Sequence, residues 1–170
     1  IVTSQFLDDF GYNIVGFNVQ GPIIKGDTTS NTSLLGFMLN GEITYQEDPR
    51  PFSVDFYKAK DETIERLEEE PYRPTGTGFG AFYNAQYLRK DDLYKTNEKE
   101  NAERLSVNIS TKFDIKTSEN TDLTFGGSIN YRNGYRWSLS NSLLNASNNG
   151  TFTDNTMRFY GRFSQNFPTE

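Results

Sequence analysis

The residue types that most often carry chemistry are scarce in this chain of 170 residues. It contains no histidine and no cysteine, so it lacks the commonest general base, the commonest transition-metal ligand and any thiol nucleophile. A serine or threonine hydroxyl therefore has no histidine to activate it. Acid pairs that hydrolyse glycosides stay open, but no pair is singled out by its position. We assign no catalytic residue and expect the protein not to be an enzyme.

Two short stretches have compositions that sometimes bind ligands. In "TGTGFG", residues 75–80, the glycines do not follow the G-x-G-x-x-G spacing, and the stretch neither follows a parallel strand nor opens a helix, so we interpret it as turns. The acidic groups "DETIE" and "EEE", residues 61–65 and 68–70, lack the EF-hand pattern and suit a solvated helix face. We therefore predict neither a metal site nor a bound cofactor.

Composition restricts the protein class further. The net charge of -6 argues against nucleic acid as a partner. A hydrophobic fraction of 34% is low, yet aromatic residues reach 15%, which disordered chains do not show. This combination fits strands that present only one apolar face.

The stretch "RLSVNISTKFDIK" alternates apolar and polar residues almost without a break, and such period-two alternation indicates a β-strand with two different faces. Four further stretches share this pattern. The five predicted strands are Tyr12–Gly21, Leu34–Gln46, Arg104–Lys116, Leu123–Arg132 with a possible extension to Trp137, and Met157–Phe167.

In each predicted strand, the odd-numbered residues form one face and the even-numbered residues the other. The odd-numbered face is apolar, whereas the even-numbered face carries the charges. Two environments fit such strands: a soluble β-sandwich buries the apolar face, whereas a membrane barrel turns it toward lipid and keeps the polar face inside. In the barrel interpretation the candidate lumen-facing residues are Asn40, Glu42, Arg104, Lys112, Asp114, Arg132, Arg158 and Arg162. The candidate lipid-facing residues are Phe37, Leu39, Val107, Ile109, Phe125, Ile129, Phe159 and Phe163.

Strand length and connection length favour the barrel. The predicted strands have about ten residues or more, as a tilted membrane-spanning strand needs, whereas soluble strands average about 5–6. Connections alternate between short and long: a short turn with Gly26 and Asp27, a loop over 47–103, the turn at 117–122, and a loop over 133–156. Aromatic residues near strand ends would form interfacial girdles. These are Tyr12, Tyr45, Tyr131, Trp137 and Phe167.

The long loop over 47–103 has a predicted structure of its own. "KDETIERLEEE", residues 60–70, reads as a short helix with Ile64 and Leu67 on its apolar stripe and Pro71 at its end. "RKDDLYKTNEKENAER", residues 89–104, reads as a second short helix capped by Asp91. Unstructured loops of this length are uncommon unless they have a function.

Three stretches then resemble a known family. "VTSQFLDDFGYNIVGFNVQGPIIKG", "LLGFMLNGEITYQEDPRP" and "DNTMRFYGRFSQNFPTE" resemble the early barrel region of TonB-dependent outer-membrane receptors of the Bacteroidetes type. In that family a strand leads into a short F-D-x-[YF]-G-[YF]-N loop and then an alternating strand, which here corresponds to residues 6–13 and the strand ending in "VQGP". The resemblance places the end of a first barrel strand at residues 1–4.

The resemblance implies an all-β fold, in which residues 1–170 are a partial antiparallel transmembrane β-barrel of five to six strands and residues 47–103 an extracellular loop with short helices. The family's barrel has 22 strands around a plug domain. The implied function is TonB-dependent uptake of a nutrient such as an iron chelate, glycan or peptide across the outer membrane of a Gram-negative bacterium. The implied partners are membrane lipid, the plug and remaining barrel, the TonB complex acting through that plug, and in some members a surface lipoprotein.

Five strands cannot close a 22-stranded barrel, so we expect the chain to be a piece of a larger polypeptide. Two alternatives stay open from the residues alone. One is a soluble extracellular β-sandwich that binds carbohydrate or protein. The other is an outer-membrane barrel with hydrolytic activity in its lumen.

Overall fold

The computed structural model describes residues 2–5, 11–26 and 33–167, and the chain divides into two compact units. The first, called here the sheet unit, comprises Ile1–Pro49, Glu103–Gly134 and Phe152–Glu170. The second, called the insert unit, comprises Arg50–Ala102 and Tyr135–Thr151. The chain is mostly β-strand, as its alternating sequence predicts.

The sheet unit is one antiparallel sheet of long strands. Its strands are β1 (Val2–Gln5), β2 (Tyr12–Lys25), β3 (Ser33–Gln46), β8 (Arg104–Ser118), β9 (Thr121–Arg136) and β10 (Gly150–Gln165). They lie in the order β1-β2-β3-β8-β9-β10, so each long strand neighbours the next long strand in the chain. The strands in the described residues do not close into a barrel.

The pairing of the central strands keeps odd-numbered residues on one face of the sheet and even-numbered residues on the other. Ile109 of β8 pairs with Gly41 of β3 and with Ile129 of β9, and every pairing between these strands joins odd to odd or even to even up to the irregularity after Lys116. Because paired residues in a sheet point to the same side, the odd positions of β2, β3, β8 and β9 share one face and their even positions the other, apart from the irregular ends of β2 and β8. The apolar sides of the long strands therefore lie next to one another on one face of the sheet, and their polar sides lie on the other. In β1 the numbering is reversed, since Val2 pairs with Phe17 and Thr3 with Gly16.

Two glycines inside strands lie under aromatic rings of the neighbouring strand. A Cβ at Gly41 would overlap the ring of Phe17 on β2, and a Cβ at Gly126 would lie 2.5 Å from the Tyr160 ring on β10. Glycine weakens a strand because it has no side chain to pack, and a ring lying over it replaces that packing. These glycines therefore mark close cross-strand packing.

All five strands predicted from alternation are present, and several extend beyond their predicted bounds. The largest difference concerns the predicted loop over 133–156, because β9 continues to Arg136 and β10 already begins at Gly150. The odd positions Thr151, Thr153 and Asn155 are polar, so the apolar alternation that marks a strand is missing there. The strand implied at residues 1–4 is present as β1, which pairs with β2. Residues 6–10 of the loop motif and Asp27 of the first turn lie outside the described residues.

The insert unit contains short elements. They are β4 (Phe56–Ala59), α1 (Asp61–Glu69), β5 (Tyr72–Pro74), β6 (Ala81–Tyr83), β7 (Leu93–Thr96) and α2 (Leu139–Ser142), with 3-10 turns at Asn84–Tyr87, Lys90–Asp92 and Ala146–Asn148. β4 pairs with β7 and β5 pairs with β6, each antiparallel. None of the described helices is long and apolar enough to cross a bilayer.

The first helix of the insert is close to its prediction, and the second is wrong. α1 carries Asp61 and Glu62 in its first turn, where acidic side chains favour the helix dipole, and it ends shortly before Pro71. The predicted second helix over 89–104 is a 3-10 turn followed by strand β7. Its many charged residues suggested helix, but pairing with β4 outweighs that local preference.

Backbone and side-chain hydrogen bonds join the two chain segments of the insert unit. The Ala59 N–H donates to the Leu143 carbonyl at 2.9 Å, and the Asn101 amide donates to the Ala146 carbonyl at 3.1 Å. Asn149, which is 5% exposed, donates to the carbonyls of Glu100 and Asn101 at 3.5 Å each. Residues 135–151 are therefore an integral part of the fold that the insert forms.

Candidate functional site: the two faces of the long-stranded sheet

The odd-numbered face of the sheet is largely apolar and exposed, and Lys25 at the end of β2 is the charged residue on its five long strands. Register and contacts place all eight candidate lipid-facing residues on it: Phe37, Leu39, Val107, Ile109, Phe125, Ile129, Phe159 and Phe163. Ile109 in the central strand is 38% exposed and Phe159 on β10 is 79% exposed. The odd positions of β3, β8, β9 and β10 carry no Asp, Glu, Lys or Arg. A continuous apolar surface of this width marks an interface with another protein or with a membrane.

Among the residues that the structure describes, no second sheet of the sheet unit covers this apolar face. The two other sheets in the described residues are the two-stranded pairs β4–β7 and β5–β6, and both belong to the insert unit. The buried apolar residues of the described chain are Ala59, Ala102 and Ala146, which also lie in the insert unit. The described residues of the sheet unit thus show no buried core of the kind that a β-sandwich builds between two sheets.

The height of the apolar face can be read from β3. Its odd positions run from Leu35 to Tyr45, ten residue steps, with apolar or glycine residues throughout. At about 3.3 Å per residue this is roughly 33 Å along the strand, and a strand tilted by about 45° would cover roughly 23 Å of height. The apolar band of outer-membrane barrels is about 25 Å tall. The two dimensions agree closely.

The even-numbered face carries hydrogen-bonded polar side chains. Register and contacts place all eight candidate lumen-facing residues there: Asn40, Glu42, Arg104, Lys112, Asp114, Arg132, Arg158 and Arg162. Asn18 of β2 donates to the Asn40 side chain, which in turn donates to the Ser110 hydroxyl at 3.5 Å. These contacts cross three neighbouring strands and tie polar groups of the face together.

Ion pairs on the even face lie along strands and between them. The Lys112 ammonium lies 2.7 Å from the Asp114 carboxylate, which also accepts a hydrogen bond from Thr124 at 2.8 Å. The Arg132 guanidinium lies 3.2 Å from the Asp154 carboxylate on β10. All four charged side chains are at least 38% exposed, so each pair contributes little to stability by itself.

Sequence reasoning placed Tyr160 on this face but missed its contact with Gly126, and it missed Asp154 altogether. Tyr160 lies over Gly126, and Asp154 pairs with Arg132. Alternation predicted the last strand only from Met157, so Asp154 fell inside a predicted loop. Extending the last strand toward the N-terminus from Arg158 would have placed Asp154, which is also an even position, on the charged face. Nothing in the sequence alone identifies Tyr160 as the partner of Gly126.

The two stretches of the insert whose compositions sometimes bind ligands form turns and a helix. "TGTGFG" is the turn between β5 and β6, where Gly76, Gly78 and Gly80 have positive φ and the Thr75 hydroxyl donates to the Phe79 carbonyl at 2.5 Å. In the part of the chain that the structure describes, no group of three or more acidic residues could hold a metal ion. Trp137, predicted as a girdle residue, packs against Phe52 at 5.3 Å and Phe56 at 6.0 Å between ring centroids.

Two charged pairs of the insert unit show perturbed titration. Burial lowers the pKa of Lys58, but hydrogen bonds with Glu100 and Tyr94 raise it by more, so the net pKa lies above its usual value. The guanidinium of Arg66 donates to the Asp92 carboxylate at 2.6 Å and holds the pKa of that carboxyl below its usual value, with help from the Arg89 backbone N–H. These pairs connect insert elements to one another, so we assign them structural roles.

No protein-family model, curated protein or solved structure matches this chain significantly.

Proposed function

We propose that this chain is a wall segment of a transmembrane β-barrel in the outer membrane of a Gram-negative bacterium. The observation that carries the proposal is the exposed odd face, which is five long strands wide and carries a single charge, Lys25 at the end of β2. A surface of that width is costly in water, at about 25 cal/mol per Å² of apolar area, whereas lipid is a favourable solvent for it. A charged even face suits a water-filled interior.

The connections support the same proposal. The hairpin between β8 and β9 turns at Glu119 and Asn120, whereas at the other sheet end the segments 47–103 and 137–149 connect the strands. Outer-membrane barrels have short turns on the periplasmic side and long loops outside. We therefore place the two segments of the insert unit on the extracellular side.

We further propose that the barrel is a TonB-dependent receptor that imports a nutrient such as an iron chelate, glycan or peptide. The support is the sequence resemblance, together with the strand β1 that the resemblance implies and the structure contains. In this proposal the plug domain, the remaining strands, the TonB complex and, in some receptors, a surface lipoprotein are the partners. The chain itself carries out no chemical reaction.

Membrane fractionation followed by an uptake assay tests the two levels of the proposal separately. We expect the full-length protein to stay in outer membranes after an alkaline carbonate wash and to leave them only in detergent. Extraction without detergent would refute the barrel. For the receptor, loss of nutrient uptake on deleting the gene, matched by loss on removing the TonB complex, is the expected result. Uptake that continues without that complex would refute the receptor while leaving the barrel intact.

A further inference from the structure

The even-numbered face has a local excess of positive charge on β8, β9 and β10. The whole chain has a net charge of -6, yet within residues 104–134 and 152–165 the even positions carry six cations and three anions, a net charge of +3. On β2 and β3 the even positions carry a single charge, Glu42. The cations are Arg104, Lys112, Lys116, Arg132, Arg158 and Arg162, and the anions are Asp114, Asp122 and Asp154.

Four of these cations, Arg104, Lys116, Arg158 and Arg162, make no salt bridge with a described residue, and Arg158 and Arg162 share one strand. Lys112 and Arg132 each have a carboxylate partner, whereas the side chains of Arg158 and Arg162 are exposed. Arg162 interacts with the Lys112–Asp114 pair only through longer-range electrostatics. Arg158 and Arg162 lie on the same face of one strand, four residues or about 13 Å apart.

Tyr160 lies between the two arginines on the same face. Its ring covers Gly126 and remains 49% exposed, so one side of an aromatic ring is available between two guanidinium groups that have no salt bridge with a described residue. Arginine and tyrosine are among the residue types most enriched in protein interfaces. We call Arg158, Tyr160 and Arg162 the arginine strip.

We infer that the arginine strip is a docking surface for a polypeptide segment that presents at least two carboxylates. Each guanidinium matches a carboxylate with two parallel hydrogen bonds. The spacing of about 13 Å is too wide for one small carboxylate ligand to engage both groups bidentately, so it suits two acidic residues on an extended segment. The inference uses only the charges of the sheet and does not depend on whether the odd face meets lipid.

Arginine footprinting of the full-length protein in its native membrane tests the inference without any substitution. We expect phenylglyoxal to modify Arg158 and Arg162 several-fold more slowly than the exposed Arg89 at low salt, and this protection to weaken at high salt, which screens charge pairs. Modification of all three residues at equal rates would overturn the inference. Protection that disappears on dialysis would also overturn it, because a small anion and not a polypeptide would then be bound.

Zero-length cross-linking identifies the partner's chemistry. In the variants Arg158→Lys and Arg162→Lys, a carbodiimide should join the new amine to an Asp or Glu outside residues 33–167, and mass spectrometry would locate that residue. The exposed Lys90 of the same protein is the internal control and should give far less product. Cross-links only to Asp114 or Asp154 would show that the sheet neutralises itself and would refute the docking surface. The cross-linking result does not affect membrane fractionation. A failure of the docking surface can therefore be told apart from a failure of the barrel proposal.

Discussion

Substitution of Ile109 by arginine probes the environment of the apolar face directly. Ile109 lies on β8, four residues from Leu105 and six from Ile115, which are the outer apolar rows of that strand. Its row is therefore within about 3 Å of the middle of the apolar band, given about 3.3 Å per residue. Arginine at the midplane of a barrel's lipid face costs about 2–4 kcal/mol, and near the interface about 0–1 kcal/mol.

The neighbouring residue on the opposite face is a matched control. Ser110 points to the even face, where its hydroxyl accepts one long hydrogen bond from Asn40 at 3.5 Å. We expect Ser110→Arg to cost about 0.5 kcal/mol or less, because a polar, water-accessible face accommodates a long cation. Leu105→Arg at the edge of the band should cost less than Ile109→Arg. The expected order of destabilisation is therefore Ile109, then Leu105, then Ser110.

The assay is denaturant unfolding of the full-length protein in phospholipid vesicles, with each variant compared with wild type. A buried sandwich core would also reject arginine, so Ile109→Phe separates the two environments. Lipid adapts to the larger ring and the cost should stay below about 0.5 kcal/mol, whereas overpacking a protein core costs about 1–3 kcal/mol. Equal tolerance of arginine at 109 and 110, or a large cost for Ile109→Phe, would refute the lipid assignment.

Three further predictions concern packing and charge. Gly41→Ala should destabilise the sheet by about 0.5–1.5 kcal/mol in the same unfolding assay, because the Phe17 ring must leave its position to make room for the new Cβ. Gly21→Ala, whose Cβ meets no atom within 4 Å, should be nearly neutral, and equal effects would contradict the close packing. Glu100→Gln should destabilise the insert unit by about 1–3 kcal/mol, because it leaves the 9% exposed Lys58 ammonium with a weakened partner. Lys58→Met removes that ammonium and should cost less, and thermal unfolding of both variants checks this order. The lowered pKa of Asp92 means that its stabilisation is complete above its usual pKa of about 3.9 and is lost as the pH falls through the folded-state value. The Lys60 amide donates to the Asp92 carbonyl at 3.1 Å, so its protection factor against hydrogen exchange should fall in acid for wild type, and Asp92→Asn should remove that fall. An unchanged acid response in the variant would contradict the assignment.

Alternation predicted the long strands because each carries its own two-faced pattern. Period two is a local property, so Leu105, Val107 and Ile109 identify β8 without knowledge of its neighbours. The shared register of the strands follows from keeping one apolar face continuous, since a slip of one residue would reverse every side chain. That is why the two candidate face lists, chosen strand by strand, lie on two opposite faces of one sheet.

The insert could not be predicted in the same way. Strands β4 to β7 are three or four residues long, which is too short for a recognisable alternation. The charged run at 89–104 looks helical because its residues favour helices, but its strand is defined by pairing with residues 56–59, far away in sequence. Trp137 likewise has no local signal for its contact with Phe52, a residue distant in sequence. Contacts of this kind depend on tertiary structure.

The most direct test of the central claim is a single-cysteine accessibility scan across residues 105–115. The chain contains no cysteine, so one label can be introduced at each position without a competing thiol in this segment. With spin-labelled full-length protein in membranes, we predict that odd positions collide most with lipid-soluble oxygen and even positions with a water-soluble nickel complex, in strict alternation. Odd positions shielded from both reagents would indicate a protein core, and odd positions open to the nickel complex would indicate water. Either result would contradict the account.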